Sequence, residues 1–188
     1  MKKLSTLFKK DPNDLGRVIN EVDPKNKWVF KFGLPTRKFD GTSCAIIDGE
    51  LYKRFDLKKG RTLPPNAIPC QEADEITGHH PHWVKCDVKD KSNKYHFEAF
   101  PSWNDFADGT YELCGPKING NPENLENHEL IKHGERLSLA NFSFETLKKF
   151  LSIDEIDMEG IVFHSMIPHD NRMCKIRKKD FGFKRVKS

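Results

Sequence analysis

No apolar run in this chain approaches the roughly 20 residues that a membrane span requires, so a soluble protein with no membrane partner is expected. The segment Met1 to Lys10 carries lysines but no apolar core, and no secretory signal peptide is read there. Cysteine is scarce and odd in number, five in all (Cys44, Cys70, Cys86, Cys114, Cys174), in spacings that form neither a disulfide framework nor a paired zinc clamp. A reducing, intracellular, cytoplasmic setting is the simplest expectation. There is no internal repeat, no low-complexity stretch and no linker that would split the chain. Charge of one sign is also lacking: 32 Lys and Arg stand against 28 Asp and Glu, and the net charge of +4 allows a polyanionic partner without demanding one. Gly115 to Asn121 holds two glycines but no Gly-Lys-Ser/Thr ending, which excludes a P-loop.

What is present suffices for a core. A hydrophobic share of 36% and an aromatic share of 11% over 188 residues support one folded domain rather than a disordered chain. Residues 1–26 are basic and polar, read as an arm or a short helix ending near Asp23-Pro24. Lys27 to Phe32 reads as a strand. Thr42 to Ile47 and Glu50 to Phe55 read as strands joined by Asp48-Gly49, a pair whose tolerance of positive φ marks a hairpin. Lys38 then falls in the loop before the hairpin, and Arg54 near the end of its second strand. Arg61 to Ser92, with Pro64, Pro65, Pro69 and Pro81, reads as loop. Tyr95 to Phe100, Thr110 to Cys114, Gly160 to His164 and Arg172 to Phe181 read as strands. Phe142 to Leu151 is the best helix, with Ser143 as its N-cap and Phe144, Leu147 and Leu151 on one face. Many antiparallel strands with few helices place the fold in the α+β class.

Lys38-Phe39-Asp40-Gly41, Arg54, Glu112 in Tyr111-Glu112-Leu113-Cys114-Gly115, Glu159 in Met158-Glu159-Gly160-Ile161-Val162, and Lys175 with Arg177 in Cys174-Lys175-Ile176-Arg177 follow one another in an ordered set. Each alone has a bland reading as a surface turn, a solvated strand face or a loop carboxylate. Together, from about Lys31 to Phe183, they resemble the motifs of the covalent nucleotidyltransferases, the superfamily of polynucleotide ligases and mRNA capping enzymes. Lys38-Phe39-Asp40-Gly41-Thr42-Ser43-Cys44 and the run Gly115-Pro116-Lys117-Ile118-Asn119-Gly120-Asn121-Pro122 look like the RNA ligase 1-like group of 5′-3′ RNA ligases. Ile68-Pro69-Cys70-Gln71, Thr77-Gly78-His79-His80 and His133-Gly134 add to that likeness.

The resemblance implies a nucleotidyltransferase (adenylation-domain) fold: two mainly antiparallel sheets flanking a nucleotide cleft, a few peripheral helices, a single domain over 1–188 and no C-terminal OB domain. It implies a monomeric RNA-repair ligase acting on ATP, with Mg2+ or Mn2+, and on RNA carrying 5′-phosphate and 3′-hydroxyl ends. Lys38 is the match to the residue that becomes covalently attached to AMP. Arg54 matches the contact to nucleotide and polynucleotide end, Glu112 the contact to ribose or metal waters, and Glu159 the metal-positioning carboxylate. Lys175 and Arg177 match the α-phosphate ligands; many relatives have lysine at the second position, and arginine changes the donor geometry. Asp40 belongs to the catalytic motif, with its orientation open. No clean match to the base-stacking aromatic is found; His128 and His133 are weak candidates. Two other readings stand beside the ligase: a transferase using GTP or another acceptor, and a non-catalytic nucleic-acid-binding module.

The chemistry accounts for these residue types. A lysine attacking a phosphate must be a neutral amine, yet a free lysine, with a pKa of about 10.4, is protonated at neutral pH. Nearby cations (Lys175, Arg177 and a divalent metal) penalise the ammonium and would also hold the α-phosphate. Residues i and i+2 of a strand share a face, so Lys175 and Arg177 reach the same way. Magnesium is typically held by one or two carboxylates plus phosphate oxygens, the role expected of Glu159 and Glu112. Other constellations are weaker. His79, His80, His82 and Cys86 lack the paired spacings of zinc sites and read as a polar loop over the active site. Cys114 sits in an apolar strand without a His-Asp partner set. Lys178, Lys179, Lys184, Arg185 and Lys187 would extend a path for phosphates.

Overall fold

The computed structural model describes residues 4–57, 60, 62–70, 80–102 and 105–185. In chain order the strands are β1 Ser5–Thr6, β2 Phe8–Lys10, β3 Val18–Val22, β4 Gly33–Lys38, β5 Thr42–Ile47, β6 Glu50–Leu57, β7 Ile68–Pro69, β8 His80–Lys85, β9 Gly109–Cys114, β10 Glu129–Lys132, β11 Gly160–Ser165 and β12 Met173–Arg177. The helices are α1 Val29–Phe32, α2 Lys94–Glu98, α3 Phe144–Ser152 and α4 Lys178–Phe181. The described pairings are antiparallel except β1 with β12. Few helices and several sheets make the fold α+β, and no described helix is long and apolar enough to cross a membrane. The chain divides into two compact units, one formed by residues 40–133 and one by the segments before and after it.

The unit of residues 40–133 is a six-stranded sheet in the order β10-β9-β5-β6-β8-β7. Asp48 (φ 52°) and Gly49 (φ 72°) make the expected hairpin turn, and Asp108 accepts hydrogen bonds from both of their N–H groups, at 2.9 and 3.1 Å. One face of the sheet buries Cys44, Ile46, Leu51, Tyr111, Leu113 and Leu130. Alternation therefore turns Ser43, Glu112 and Arg54 to the other face. Two expectations fail here. The proline-rich stretch contains β8, which pairs with β6 from Tyr52↔Lys85 to Leu57↔His80, and Pro81 lies within it with its carbonyl accepting from Cys70 N. Tyr95 to Phe100 is not a strand: α2 follows a 3-10 turn capped by Asp90, and His96 and Ala99, three apart, are the buried positions. Alternating aromatics imitate a strand, but local capping and a buried helical face decide otherwise.

The other unit has a four-stranded sheet, β1-β12-β11-β4, and the two-stranded β2-β3. Residues 4–26 are neither arm nor helix: they supply β1 to β3 and place Leu7 and Phe8 in the core. Lys27 to Phe32 is a helical turn leading into β4, not a strand. Asp23 caps the preceding 3-10 turn through Lys25 N, with Pro24 at its first position, a helix-start signal already present in Asp23-Pro24. Helix α3 forms as expected, with Ser143 Oγ accepting from Thr146 N and Leu147 and Leu151 fully buried. The terminal strand is shorter than expected: β12 stops at Arg177, and residues 178–181 turn into α4. Ile161, Phe163, Cys174 and Ile176 point into the core, leaving Lys38, Lys175 and Arg177 on the opposite face.

Candidate functional site

Strand register builds the first cluster, wholly within the unit holding β4, β11 and β12. Lys38 ends β4 rather than lying in a loop, opposite Gly160, and Gly160 lies opposite Arg177. One step along the same face, Thr36, Val162 and Lys175 form the next row. Gly160 keeps the first row tight. A Cβ there would lie 2.3 Å from Ile176 O and 2.6 Å from Arg177 Cα, so any side chain would push β11 from β12. Immediately before it, Glu159 has its carbonyl tied to Lys178 N at 3.0 Å and its carboxylate Oε2 ion-paired with the Lys38 ammonium. Both partners are partly exposed, 21% and 17% for the side chains. Lys38 Nζ also donates to Phe39 O at 3.2 Å.

The two cations of β12 differ sharply. Arg177 gives Nε and Nη2 to Asp180, at 3.0 and 2.9 Å, and its own N–H as well. Asp180 is completely buried and also accepts from Lys10 Nζ at 2.8 Å. Burial pushes the Asp180 carboxyl upward, but these donors outweigh it and hold its pKa below the usual carboxylate range. Arg177 is thereby largely committed to the first turn of α4. Lys175 has no hydrogen bond or ion pair among the described residues. Burial first, then Arg177 and Lys38, lower its pKa to about 8, against the opposing pull of Glu159 and Asp180.

The second cluster lies within residues 40–133. Gly41 packs so closely on β9 that a Cβ would sit 2.2 Å from Leu113 O, so the Asp-Gly wording has a steric reason. The turn is held on each side. Asn119 Nδ2 donates to Asp40 Oδ1 at 3.1 Å and to Gly41 O at 2.8 Å; Asp40 N donates to Glu123 Oε1 at 2.9 Å. Glu112 accepts from Gly41 N at 3.2 Å through Oε1 and lies 3.0 Å from His133 Nε2 through Oε2. Ser43 is the Cα partner of Glu112, and its buried hydroxyl has no hydrogen-bond partner among the described residues. Arg54, mid-strand and opposite Trp83, donates from Nε to Asp56 Oδ1 at 2.8 Å.

The candidates for a base-stacking residue fare unevenly. The face of His128 is stacked on Tyr95, with centroids 4.4 Å apart, and its Nδ1 lies 2.8 Å from Glu98. His128 is a packing residue. His80 and His82 sit on β8 rather than in a loop, and the Cys86 thiol is raised to about 11, chiefly by burial, which suits it poorly to bind metal as a thiolate. Gln71, Thr77, Gly78, His79 and Lys187 lie outside the described residues. No group of three or more His, Cys, Asp or Glu among the described residues is arranged to hold a metal. The donor chemistry for a magnesium-type ion is nonetheless present at Glu159, where Oε1 has no protein partner among the described residues. One hard carboxylate completed by phosphate oxygens and water is a usual arrangement for that ion. At Glu112 both oxygens already have protein partners.

Glu123, Lys10 and Asp180 help to carry these clusters, yet no sequence motif marks them; Asn119 lies in the run Gly115 to Pro122, which does not reveal its contacts with Asp40 and Gly41. Asn119-Gly120-Asn121 is a strong turn signal, with φ of 50°, 79° and 57°, but nothing local says what such a turn will grip. No protein-family model matches the chain, and no curated protein matches it.

Proposed function

We propose that the chain is an ATP-dependent RNA ligase with the nucleotidyltransferase fold. The observation that carries the reading is a lysine-carboxylate ion pair, Lys38 with Glu159, on a sheet face that also presents Lys175, a cation with no direct ion pair or hydrogen bond among the described residues. A half-buried cation of this kind favours any anion that reaches it, and the phosphates of a nucleotide suit it. The ordered motif set supplies the rest. Lys38, once its amine is neutral, attacks the α-phosphorus of ATP; the N–P bond forms, the bond to the β-phosphate oxygen breaks, and pyrophosphate leaves. The AMP passes to a 5′-phosphate on RNA, and a 3′-hydroxyl then displaces it and seals the strand.

In this scheme Lys175 holds the α-phosphate as its charge redistributes, with Arg177 contributing through the N–H groups that Asp180 does not take. Glu159 would hold Mg2+ or Mn2+, which supplies positive charge to the phosphate oxygens. Glu112 accepts from the nucleotide sugar or from metal-bound water, and Arg54 engages the nucleotide and the RNA end. The deciding experiment is incubation with α-labelled ATP or GTP and magnesium, followed by a denaturing gel and peptide mapping. An AMP adduct on Lys38, formed from ATP alone, is expected. No adduct from either nucleotide sinks the proposal, and a GMP adduct redirects it. RNA specificity is read from four nicks, ribo or deoxy on each side. Strong loss is expected when the 3′-hydroxyl side is deoxy, because telling RNA from DNA requires sensing a 2′-hydroxyl or A-form shape. Equal sealing of all four overturns the RNA assignment.

A further inference from the structure

Resting on that ligase reading, we propose that His133 is a positioning residue for the nucleotide step, acting through the carboxylate of Glu112. The motif His133-Gly134 has no role in the scheme above, and its geometry gives it one. Glu112 is a nearly buried carboxylate on β9, its side chain 11% exposed. A carboxylate in such a place needs donors, and it has Gly41 N on Oε1 and His133 on Oε2. Ionised carboxylate oxygens only accept, so His133 Nε2 carries a proton. Its Nδ1 lies 3.0 Å from Thr110 Oγ1. A hydroxyl both donates and accepts, so Thr110 satisfies Nδ1 in neutral imidazole and in imidazolium alike.

The backbone fixes the ring as firmly. His133 N donates to Thr110 O at 3.1 Å, one step beyond the Lys132↔Tyr111 pair, and extends the β9-β10 ladder to the histidine itself. Gly134, at φ 117°, then lets the chain turn away at once. Thr110, Glu112 and His133 thus form a chain of hydrogen bonds along one edge of β9. Each Glu112 oxygen retains lone-pair capacity beyond its single protein donor, aimed where that chain holds it. Without His133, Oε2 loses its donor, the carboxylate is free to rotate, and its grip on a sugar hydroxyl or bound water loosens.

The test is the KM for ATP in Lys38 adenylation, with the KM for pre-adenylated RNA, which carries the same AMP sugar, as a second reading. His133→Ala should raise the KM about tenfold, the scale of one charge-assisted hydrogen bond, and change kcat far less. His133→Gln, whose amide can donate toward Oε2, should recover most of the loss. Thr110→Val, close in shape, should raise the KM in the same direction by a smaller factor and serves if the alanine variant fails to fold. The KM for pre-adenylated RNA, which seats the same AMP sugar, should rise in the same order across the variants, with the sealing kcat changed far less. An unchanged KM in His133→Ala, or a glutamine variant as defective as alanine, overturns the positioning role while the adduct still forms. Failure of the wild-type protein to form an adduct overturns the ligase reading and this inference with it.

Discussion

The faces of the two sheets that carry the candidate residues are built alike and satisfied differently. Each sheet buries one face in its own apolar core and turns ionisable side chains to the other. On the six-stranded sheet most of the polar groups are linked: Asp40, Gly41 and Asn119 with Glu123, and Gly41 and His133 with Glu112, hold one another at ordinary hydrogen-bond distances, while the buried Ser43 hydroxyl has no partner among the described residues. On the four-stranded sheet Arg177 is satisfied by Asp180, but Lys175 has no hydrogen bond or ion pair among the described residues, and the pull of Glu159 and Asp180 only partly offsets its burial and its cationic neighbours. A satisfied network holds geometry. An unpaired, half-buried cation raises the free energy of the empty site and gives it back when an anion binds. The first cluster is therefore held by its own hydrogen bonds, and the second carries the cation whose pKa is displaced.

The largest test of this contrast is loss of the proposed nucleophile. Lys38→Ala should abolish the AMP adduct, read by labelled-nucleotide gel, in a protein that still melts cooperatively. An adduct that persists in the folded variant breaks the contrast at its root. Glu159→Ala and Lys175→Ala should each slow adenylation by about a hundredfold or more, the scale of removing a preorganised charge from a developing phosphate charge. Arg54→Ala should keep part of the adenylation but lose sealing of pre-adenylated RNA. Wild-type adenylation by Glu159→Ala would remove that carboxylate from the reaction.

Stability sharpens the comparison further. Asp180→Ala leaves Arg177 and Lys10 facing a buried site without their counter-charge and should cost about 3–5 kcal/mol in denaturant unfolding. Asn119→Ala, which removes two hydrogen bonds at an exposed side chain, should cost about 1 kcal/mol. If the two losses are equal, the buried charge pair is not the stronger device.

The smallest effect concerns pH. The folded-state pKa of Lys175, about 8, lies below its ordinary value of 10.5, so between those values the unfolded chain binds more protons. Stability should therefore rise as pH increases through that window. Lys175→Met should remove this part of the rise and stabilise the protein at pH 7 by about 1–2 kcal/mol, the full shift being discounted for solvent screening. Chemical denaturation of both proteins from pH 7 to 10.5 measures it. Parallel curves would mean that Lys175 is compensated in solution.

Elements with local signatures are legible in the sequence. Alternation and Asp48-Gly49 locate β5 and β6, and Ser143 with its apolar spacing locates α3, because one turn or one helix face sets such elements. Strand β8 is not legible, since Pro81 argues against a strand unless the neighbouring strands β6 and β7 are known. Strands β1 and β2 are too short to show alternation, and Lys9 and Lys10 mask the second; Leu7 and Phe8 beside them are buried only in the tertiary fold. The helical turns at 29–32 and 94–98 look like strands in the sequence because aromatic residues favour strands when considered singly.

The sequence by itself determined the order of Lys38, Asp40, Arg54, Glu112, Glu159, Lys175 and Arg177, and through strand alternation the shared face of the last two. Their different partners came from tertiary structure alone. Arg177 meets a buried Asp180 because the chain turns into α4, Lys175 makes no direct ion pair or hydrogen bond among the described residues, and Glu112 is gripped by His133 because β10 ends one ladder step before that histidine. Charge and spacing are carried along the chain, but satisfaction of a charge depends on what folding brings within about 3 Å of it.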